Sequence, residues 1–309
     1  MTASLTDRLT SDLDGDLRFI AREAHSVRFH EAWALGLDQH RVRLIDETRQ
    51  RAGSFKYRGA SLAVRNASAG IVASGSGNFP IAIGCAAARA GCLAVITMPE
   101  DAPASKRDMA QRSGAEVIFA PRSTFTQTAA AEADARGWRL VHPFRSPEML
   151  IGSCSLGLEM ADAVAKHGSS DDAIVVACGG GGLAAGIVLG LRMRGIANQV
   201  YVVEPASYPS LEAALTASHP IEIVPSSTTI CDALRVSTIG DLAFEVLSDD
   251  AITPLAVSDE WVEAATNILL ETCGVMAEPS GAIALAASIS GRIPATHQQS
   301  WVVVCGGNR

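Results

Sequence analysis

The chain has few lysines, few aromatic residues and no long apolar run. Of its 25 basic residues only three are lysines (Lys56, Lys106 and Lys166), and aromatic side chains make up 5% of the 309 residues. No apolar run approaches the roughly 18 residues that a membrane-spanning helix needs, and the polar start MTASLTDRLTSDLDGD lacks a signal-peptide core. These absences predict a cytoplasmic protein with no membrane partner.

Basic runs and paired cysteines are absent as well. The net charge is −8, and an acidic chain without a basic run matches the phosphate backbone of nucleic acid poorly, so the sequence predicts no nucleic-acid partner. The seven cysteines are odd in number and form no C-x-x-C pair, which excludes a zinc knuckle and a disulfide framework. A hydrophobic content of 48% excludes a disordered chain, and the length allows two domains.

Short apolar runs alternate with helix-length segments along most of the chain. The predicted strands are RVRLI near 42–45, 70–74, 93–98, 116–120, 139–142, 173–178, 199–204 and 301–305. The predicted helices are 80–89, 103–113, 125–136, 148–166, 183–194, 259–273 and 280–290. This alternation predicts an open α/β fold with a parallel sheet and helices on both faces.

Glycine-rich turns follow four of these segments. The run Gly179–Gly182 ends a strand and opens a helix, where backbone N–H groups and the helix N-terminus bind a phosphate group. The same run fits the dinucleotide fingerprint G-x-G-x-x-A, with Glu204 about 20 residues further on, so a dinucleotide-binding protein stays a remote alternative. The small residues 74–78 indicate a group, such as a carboxylate, that approaches the backbone closely.

Among the three lysines, only Lys56 lies in a glycine-rich turn. Partial desolvation there makes its amine a nucleophile for carbonyl groups. Lys106 belongs to a charged helix face and is expected in solvent, and Lys166 ends a helix where a cation is favoured. Lys56 is therefore the predicted catalytic lysine.

With these turns in order, the sequence resembles the pyridoxal-phosphate (PLP) enzymes of the tryptophan-synthase β-like fold (fold type II), most closely the serine/threonine dehydratase group. The resemblance rests on GSFKYRGA around Lys56, SGSGN at 74–78, GGGGL at 179–183 and CGGN at 305–308. It covers the chain from about Arg41 to the C-terminus. It implies two open, twisted, mostly parallel sheets with helices on both faces. It also implies a small substrate-loop domain, 67–147, inserted into a large PLP-binding domain formed by 1–66 and 148–309.

The resemblance also implies roles for single residues. Lys56 would carry PLP and act as the base, and Asn78 would reach the 3′-oxygen of the cofactor. Phe55 and Ala233 would cover the two faces of its ring, and Cys305 would face its pyridine nitrogen. The phosphate would lie against Gly179, Gly180, Gly181, Gly182 and Leu183. The substrate would be bound by Ser74, Gly75, Ser76, Gly77 and Asn78.

The implied reaction is the dehydration of L-serine or L-threonine to a 2-oxo acid and ammonia. A thiol at Cys305 is a weak proton donor to the ring nitrogen, which favours β-elimination. Two alternatives use the same fold: a serine racemase, with Ser76 as the second catalytic residue, and a β-replacement synthase. Glu204 and Ser210 resemble a cation site that suits K⁺, and the family implies a homo-oligomer, most simply a dimer.

Overall fold

The computed structural model describes residues 9–31, 41–248, 252–297 and 299–309. Strands and helices alternate along most of this part of the chain. In chain order the elements are α1 (Leu13–Glu23), β1 (Arg28–Glu31), β2 (Arg41–Asp46), α2 (Lys56–Arg65), β3 (Ile71–Ser74), α3 (Asn78–Ala90), β4 (Ala94–Pro99), α4 (Ala104–Gln111), β5 (Glu116–Ala120), α5 (Phe125–Arg136), β6 (Arg139–Val141), α6 (Pro147–His167), β7 (Ala173–Ala177), α7 (Gly182–Met193), β8 (Val200–Pro205), α8 (Ser210–Ala217), α9 (Asp241–Ser248), β9 (Ile252–Val257), α10 (Asp259–Cys273), α11 (Pro279–Ile289) and β10 (Gln299–Val304).

The chain divides into two compact units whose boundaries differ from the predicted domain boundaries. The first unit contains 9–25, Gln50–Gly152 and Asn308–Arg309, and the second contains the described parts of Ser26–Arg49 and Ser153–Gly307. The predicted large domain included the residues of α2, but α2 packs against α3 and shares its hydrophobic core. Residues 1–8 of the predicted large domain lie outside the described residues, and the roles given to the two domains stay predictions.

The first unit is built on a four-stranded parallel sheet with the order β5-β4-β3-β6. Alternate side chains of its strands point to opposite faces. Val72 and Val95 pack with alanines of α5, whereas Ala73 and Ile96 belong to the core that contains α2 and α3. Helices therefore cover both faces of this sheet, as the sequence pattern predicted.

The second unit is built on a six-stranded sheet with the order β1-β2-β10-β7-β8-β9. Strand β1 is antiparallel to β2, and every other pair is parallel. The residues of β7, β8 and β10 are all buried, which explains their continuous apolar runs. Two mostly parallel sheets confirm the predicted fold class.

The carboxyl ends of four parallel strands lead into turns, and the sequence singled out all of these turns except 142–146. In the first unit, β3 continues into 74–78 and β6 into 142–146. In the second unit, β7 continues into 178–182 and β10 into Cys305. Ligands of open α/β sheets bind at this edge of the strands.

None of the helices in the described ranges has the length and apolar character required to cross a membrane.

Candidate active site

Lys56 is the first residue of α2 and follows a tight turn. Gly53 in this turn has φ +72°, a backbone conformation that favours glycine. The Nζ atom of Lys56 donates a hydrogen bond of 3.0 Å to the carbonyl oxygen of Pro143 and lies 4.8 Å from the centre of the Phe55 ring. The structure thus places the lysine amine at the end of strand β6, beside the predicted ring-covering residue.

The turn 142–146, whose Pro143 carbonyl oxygen accepts this hydrogen bond, is stabilised by hydrogen bonds between its own residues. The His142 N–H donates to Oγ of Ser146 at 2.9 Å, and the Phe144 N–H donates to Nδ1 of His142 at a longer 3.4 Å. Burial, followed by the charges of Arg145 and Lys56, lowers the pKa of His142 to about 4. A neutral imidazole that accepts at Nδ1 is consistent with that shift. Sequence reasoning missed this turn because nothing local ties it to Lys56.

The loop 74–78 joins β3 to α3 and is lined by small residues. The Gly75 N–H donates to the carbonyl oxygen of Thr97 at 3.1 Å, which ties the loop to strand β4. Gly77 precedes α3, and no side chain in the described part of the chain caps this helix. Uncapped N–H groups at a helix N-terminus attract a carboxylate. The loop geometry therefore suits the substrate group that the sequence predicted.

Lys106 lies next to this loop and is buried, so the expectation that its side chain lies in solvent is wrong. Its side chain is 3% exposed, and its Nζ is 3.7 Å from the position that a Cβ on Gly77 would occupy. Lys106 and Ala110 are the buried residues of α4 and stand four positions apart, on one face of the helix. Because α4 packs against α3, this face turns inward despite its charge.

Asn308 joins the same unit and was not predicted as a site residue. Its Nδ2 donates to the carbonyl oxygen of Ala52 at 2.8 Å and to Oδ1 of Asn78 at 2.9 Å. The C-terminal CGGN segment thus reaches the predicted cofactor residue Asn78 through a side chain. The sequence contained a signal for this contact, because Asn308 belongs to one of the four glycine-rich turns.

In the second unit, the glycine turn 179–182 lies directly before α7. Gly181 has φ +84°, and a Cβ added there would lie 2.7 Å from Cβ of Ala243. The carbonyl oxygen of Gly180 accepts the N–H of Gly240 at 3.1 Å. No side chain of the described residues caps α7. The backbone here matches the predicted cradle for a phosphate group.

Cys305 and Ala233 lie in the second unit and meet at Ser280. The Ala233 N–H donates to Oγ of Ser280 at 3.1 Å, and the Cys305 thiol donates to the Ser280 carbonyl oxygen over 3.8 Å. The Cys305 side chain is buried. A Cβ on Gly281 would lie 2.3 Å from the carbonyl oxygen of Gly306, so α11 begins in close contact with the CGGN segment.

Glu204 and Ser210, the predicted cation ligands, are in contact. One carboxylate oxygen of Glu204 accepts Oγ–H of Ser210 at 3.2 Å and the Leu211 N–H at 2.7 Å, and the other accepts the Glu212 N–H at 3.2 Å. Burial raises the pKa of Glu204 to about 7, against the opposing effect of these donors. The carboxylate is thus bound to the N-terminus of α8, which leaves the ribose contact of the dinucleotide alternative without support.

No group of three or more metal-binding His, Cys, Asp or Glu side chains occurs within the described ranges. The K⁺ site therefore stays a prediction that rests on Glu204 and Ser210. The remaining predicted residues fall into two sets. Lys56, Phe55 and 74–78 belong to the first unit, and 179–183, Ala233 and Cys305 belong to the second.

Comparison with known proteins gives consistent matches. The family described as pyridoxal-phosphate dependent enzyme matches residues 31–306. A serine racemase from Oryza sativa subsp. indica is 34% identical over 271 residues, covering 84% of this chain and 78% of the rice protein. An L-threonine ammonia-lyase from Geobacter sulfurreducens is 31% identical, covering 97% of this chain and 75% of its own. The crystal structure of a threonine deaminase from T.th. superimposes with a TM-score of 0.89 and 31% identity, covering 97% of this chain and 98% of that one.

These matches confirm the predicted fold and the resemblance to the serine/threonine dehydratase group. The residues present also fit PLP, which combines an aldehyde with a phosphate. The Lys56 side chain supplies a primary amine, a group that can bind an aldehyde carbon, and the crowded, side-chain-free turn at Gly181 suits a phosphate. The family match confirms the prediction of PLP as the cofactor, whereas K⁺ and the roles of single residues stay predictions.

Proposed function

The chain belongs to the pyridoxal-phosphate dependent enzymes, and from this premise we propose that it is an ammonia-lyase that converts L-serine or L-threonine to a 2-oxo acid and ammonia. The threonine ammonia-lyase and threonine deaminase matches support this class. The observation that carries the proposal is the Lys56 amine on the Pro143 carbonyl oxygen, at the strand edge from which the loop 74–78 also emerges.

Each step of the proposed reaction can be assigned to a chemical group of the protein. The N–H groups at the start of α3 and the loop 74–78 bind the α-carboxylate of the substrate. The Lys56 amine removes the α-proton, and bound PLP supplies the electron sink that makes this proton acidic. The β-hydroxyl then takes up one proton, which balances the proton removed from the α-carbon, and leaves as water. Hydrolysis by one water molecule releases the nitrogen as ammonia. The N–H groups of 179–183 hold the phosphate.

The contact of Cys305 supports elimination as the main reaction. Its thiol donates to the Ser280 carbonyl oxygen, and a thiol is a much weaker acid than a carboxylic acid. Cys305 would not protonate a ring nitrogen held beside its thiol, and the neutral ring would then withdraw electrons from the α-carbon more weakly. Rapid loss of a β-substituent is then favoured over slower chemistry at that carbon.

The test begins with the absorbance spectrum of the purified protein with PLP, with L-serine or L-threonine added. We expect a visible band that borohydride abolishes by fixing the cofactor to Lys56, and release of 2-oxo acid and ammonia in equal amounts. With only three lysines, a peptide map identifies the modified residue without ambiguity. Lys166→Ala is the matched control for Lys56→Ala. A protein without the band, or with PLP fixed elsewhere, contradicts the proposal.

Racemisation of serine is the second candidate, favoured by the rice serine racemase match and by Ser76 in the loop 74–78. Ser76 would protonate the α-carbon on the face opposite Lys56. Chiral analysis of serine during turnover separates the two reactions. If racemisation occurs, Ser76→Ala should abolish it while ammonia release persists.

Three finer features complete the proposal. We infer that the protein is a cytoplasmic homodimer, which light scattering on the purified protein and fractionation of the native cells would test.

We also infer that Glu204 and Ser210 bind K⁺. Exchange of K⁺ for Na⁺ should then lower the melting temperature, and Glu204→Gln should remove the difference. Equal melting temperatures of the unmodified protein in both salts would contradict the K⁺ site.

A further inference from the structure

The side chain of Asn308 sits at the centre of a small cluster in the first unit. It contacts the backbone of the turn before Lys56 and the side chain of Asn78. Asn78 is 6% exposed and Ala52 also 6%, so these groups face the interior. The proposed function uses Lys56 and Asn78 but gives no role to Asn308.

The chemistry of the cluster fixes the orientation of both amides. The backbone carbonyl oxygen of Ala52 can only accept a hydrogen bond, so Asn308 must present its NH₂ group there. The second hydrogen of the same NH₂ points at Asn78, which must therefore present Oδ1. The backbone thus settles an assignment that an isolated asparagine pair leaves open. As a result, the Nδ2 end of Asn78 is directed away from Asn308.

We propose that Asn308 is a positioning residue that makes Asn78 a hydrogen-bond donor toward the cofactor. This inference rests on the proposed function, in which Asn78 reaches the 3′-oxygen of PLP. That oxygen carries negative charge when the cofactor is bound through a lysine, and an anionic oxygen requires a donor. If Asn78 turned its amide over, it would present an oxygen to the anion and repel it.

Gly53 supports the same role from the opposite side. A Cβ at this position would lie 2.0 Å from Oδ1 of Asn308, and the backbone there has φ +72°. A side chain on residue 53 would therefore displace Asn308. The turn that leads to Lys56 is shaped around the amide of Asn308, which ties the catalytic lysine and Asn78 to one side chain.

The test compares Asn308→Asp with Asn308→Ala and with a matched control. Asn198 provides this control, because its Nδ2 also donates to two backbone carbonyls, those of Ser169 and Asp172, within the second unit. We expect Asn198→Asp to lower only the melting temperature. Asn308→Asp should weaken PLP affinity by about 10- to 100-fold, the range for one lost charge-assisted hydrogen bond. It should also shift the visible band of the lysine-bound cofactor.

A double variant separates positioning from direct contact. If Asn308 acts through Asn78, adding Asn308→Asp to Asn78→Ala should change neither the PLP affinity nor the band position further. Circular dichroism and the melting temperature of the cofactor-free variants check that each one folds. Unchanged affinity and spectrum in folded Asn308→Asp and Asn308→Ala, with PLP still fixed to Lys56, would overturn this inference alone. Failure of PLP to reach Lys56 in the unmodified protein would instead overturn the proposed function.

Discussion

Substitution of Gly181 by alanine tests the phosphate cradle most directly. The residue has φ +84°, and a left-handed backbone costs an alanine about 1–2 kcal/mol. The added Cβ would also lie 2.7 Å from Cβ of Ala243 and 3.1 Å from Cδ1 of Ile239, an overpacking that costs about 1–3 kcal/mol more. The variant should therefore lose about 2–5 kcal/mol of unfolding free energy.

Gly195→Ala is the control that isolates the crowding. Gly195 has φ +72°, and within the described ranges no other part of the chain comes within 4 Å of the added Cβ, so only the backbone cost of about 1–2 kcal/mol applies. Urea unfolding of the cofactor-free proteins measures both losses, and titration with PLP measures affinity. We expect weaker PLP binding in Gly181→Ala only. Equal stability losses in the two variants would refute the packing argument, and equal PLP affinities would refute the cradle.

Three further predictions concern single side chains. Lys56→Ala should reduce ammonia release by about 100- to 10,000-fold, as for loss of a catalytic base, and leave no PLP fixed by borohydride, whereas Lys166→Ala should retain both. His142 has a pKa lowered from 6.5 to about 4, so unfolded chains bind its proton first and stability falls as pH drops from about 6.5 to about 4. His142→Asn should flatten that part of the urea-unfolding profile, and an unchanged slope would contradict a neutral buried His142. Asp172→Ala should cost about 1–3 kcal/mol in urea unfolding, because it removes the carboxylate oxygen Oδ2 that accepts hydrogen bonds from the buried side chains of Gln299 and Trp301; no loss would show that these bonds contribute nothing.

The sequence by itself predicted the strands and turns that local pattern controls. Continuous apolar runs such as Ala173–Ala177 are buried strands, and the glycine turn that follows opens α7 as expected. Each of these signals lies within a few neighbouring residues, so no knowledge of packing is needed to read it. The fold class and the PLP family followed from such signals in their order along the chain.

Elements whose character depends on their neighbours escaped prediction. Strand β9 contains Pro254, which argues against a central strand, but β9 lies at the edge of its sheet, where a proline is tolerated. The charged helix face around Lys106 indicated solvent, yet α4 turns that face toward α3. The edge position of a strand and the burial of a charged side chain depend on how the unit packs, so the hydrophobic periodicity of the sequence cannot predict them.

The clearest division between sequence and tertiary structure lies in the candidate site. The sequence alone predicted Lys56 and Asn78 as site residues, because each sits in a glycine-rich turn that resembles a motif of the family. Only the folded chain brings Asn308 to Asn78, across 230 positions, and the Pro143 carbonyl oxygen to Lys56, across 87. A hydrogen bond depends on the distance between two atoms, and for residues so far apart in the chain that distance is set by the packing of sheets and helices.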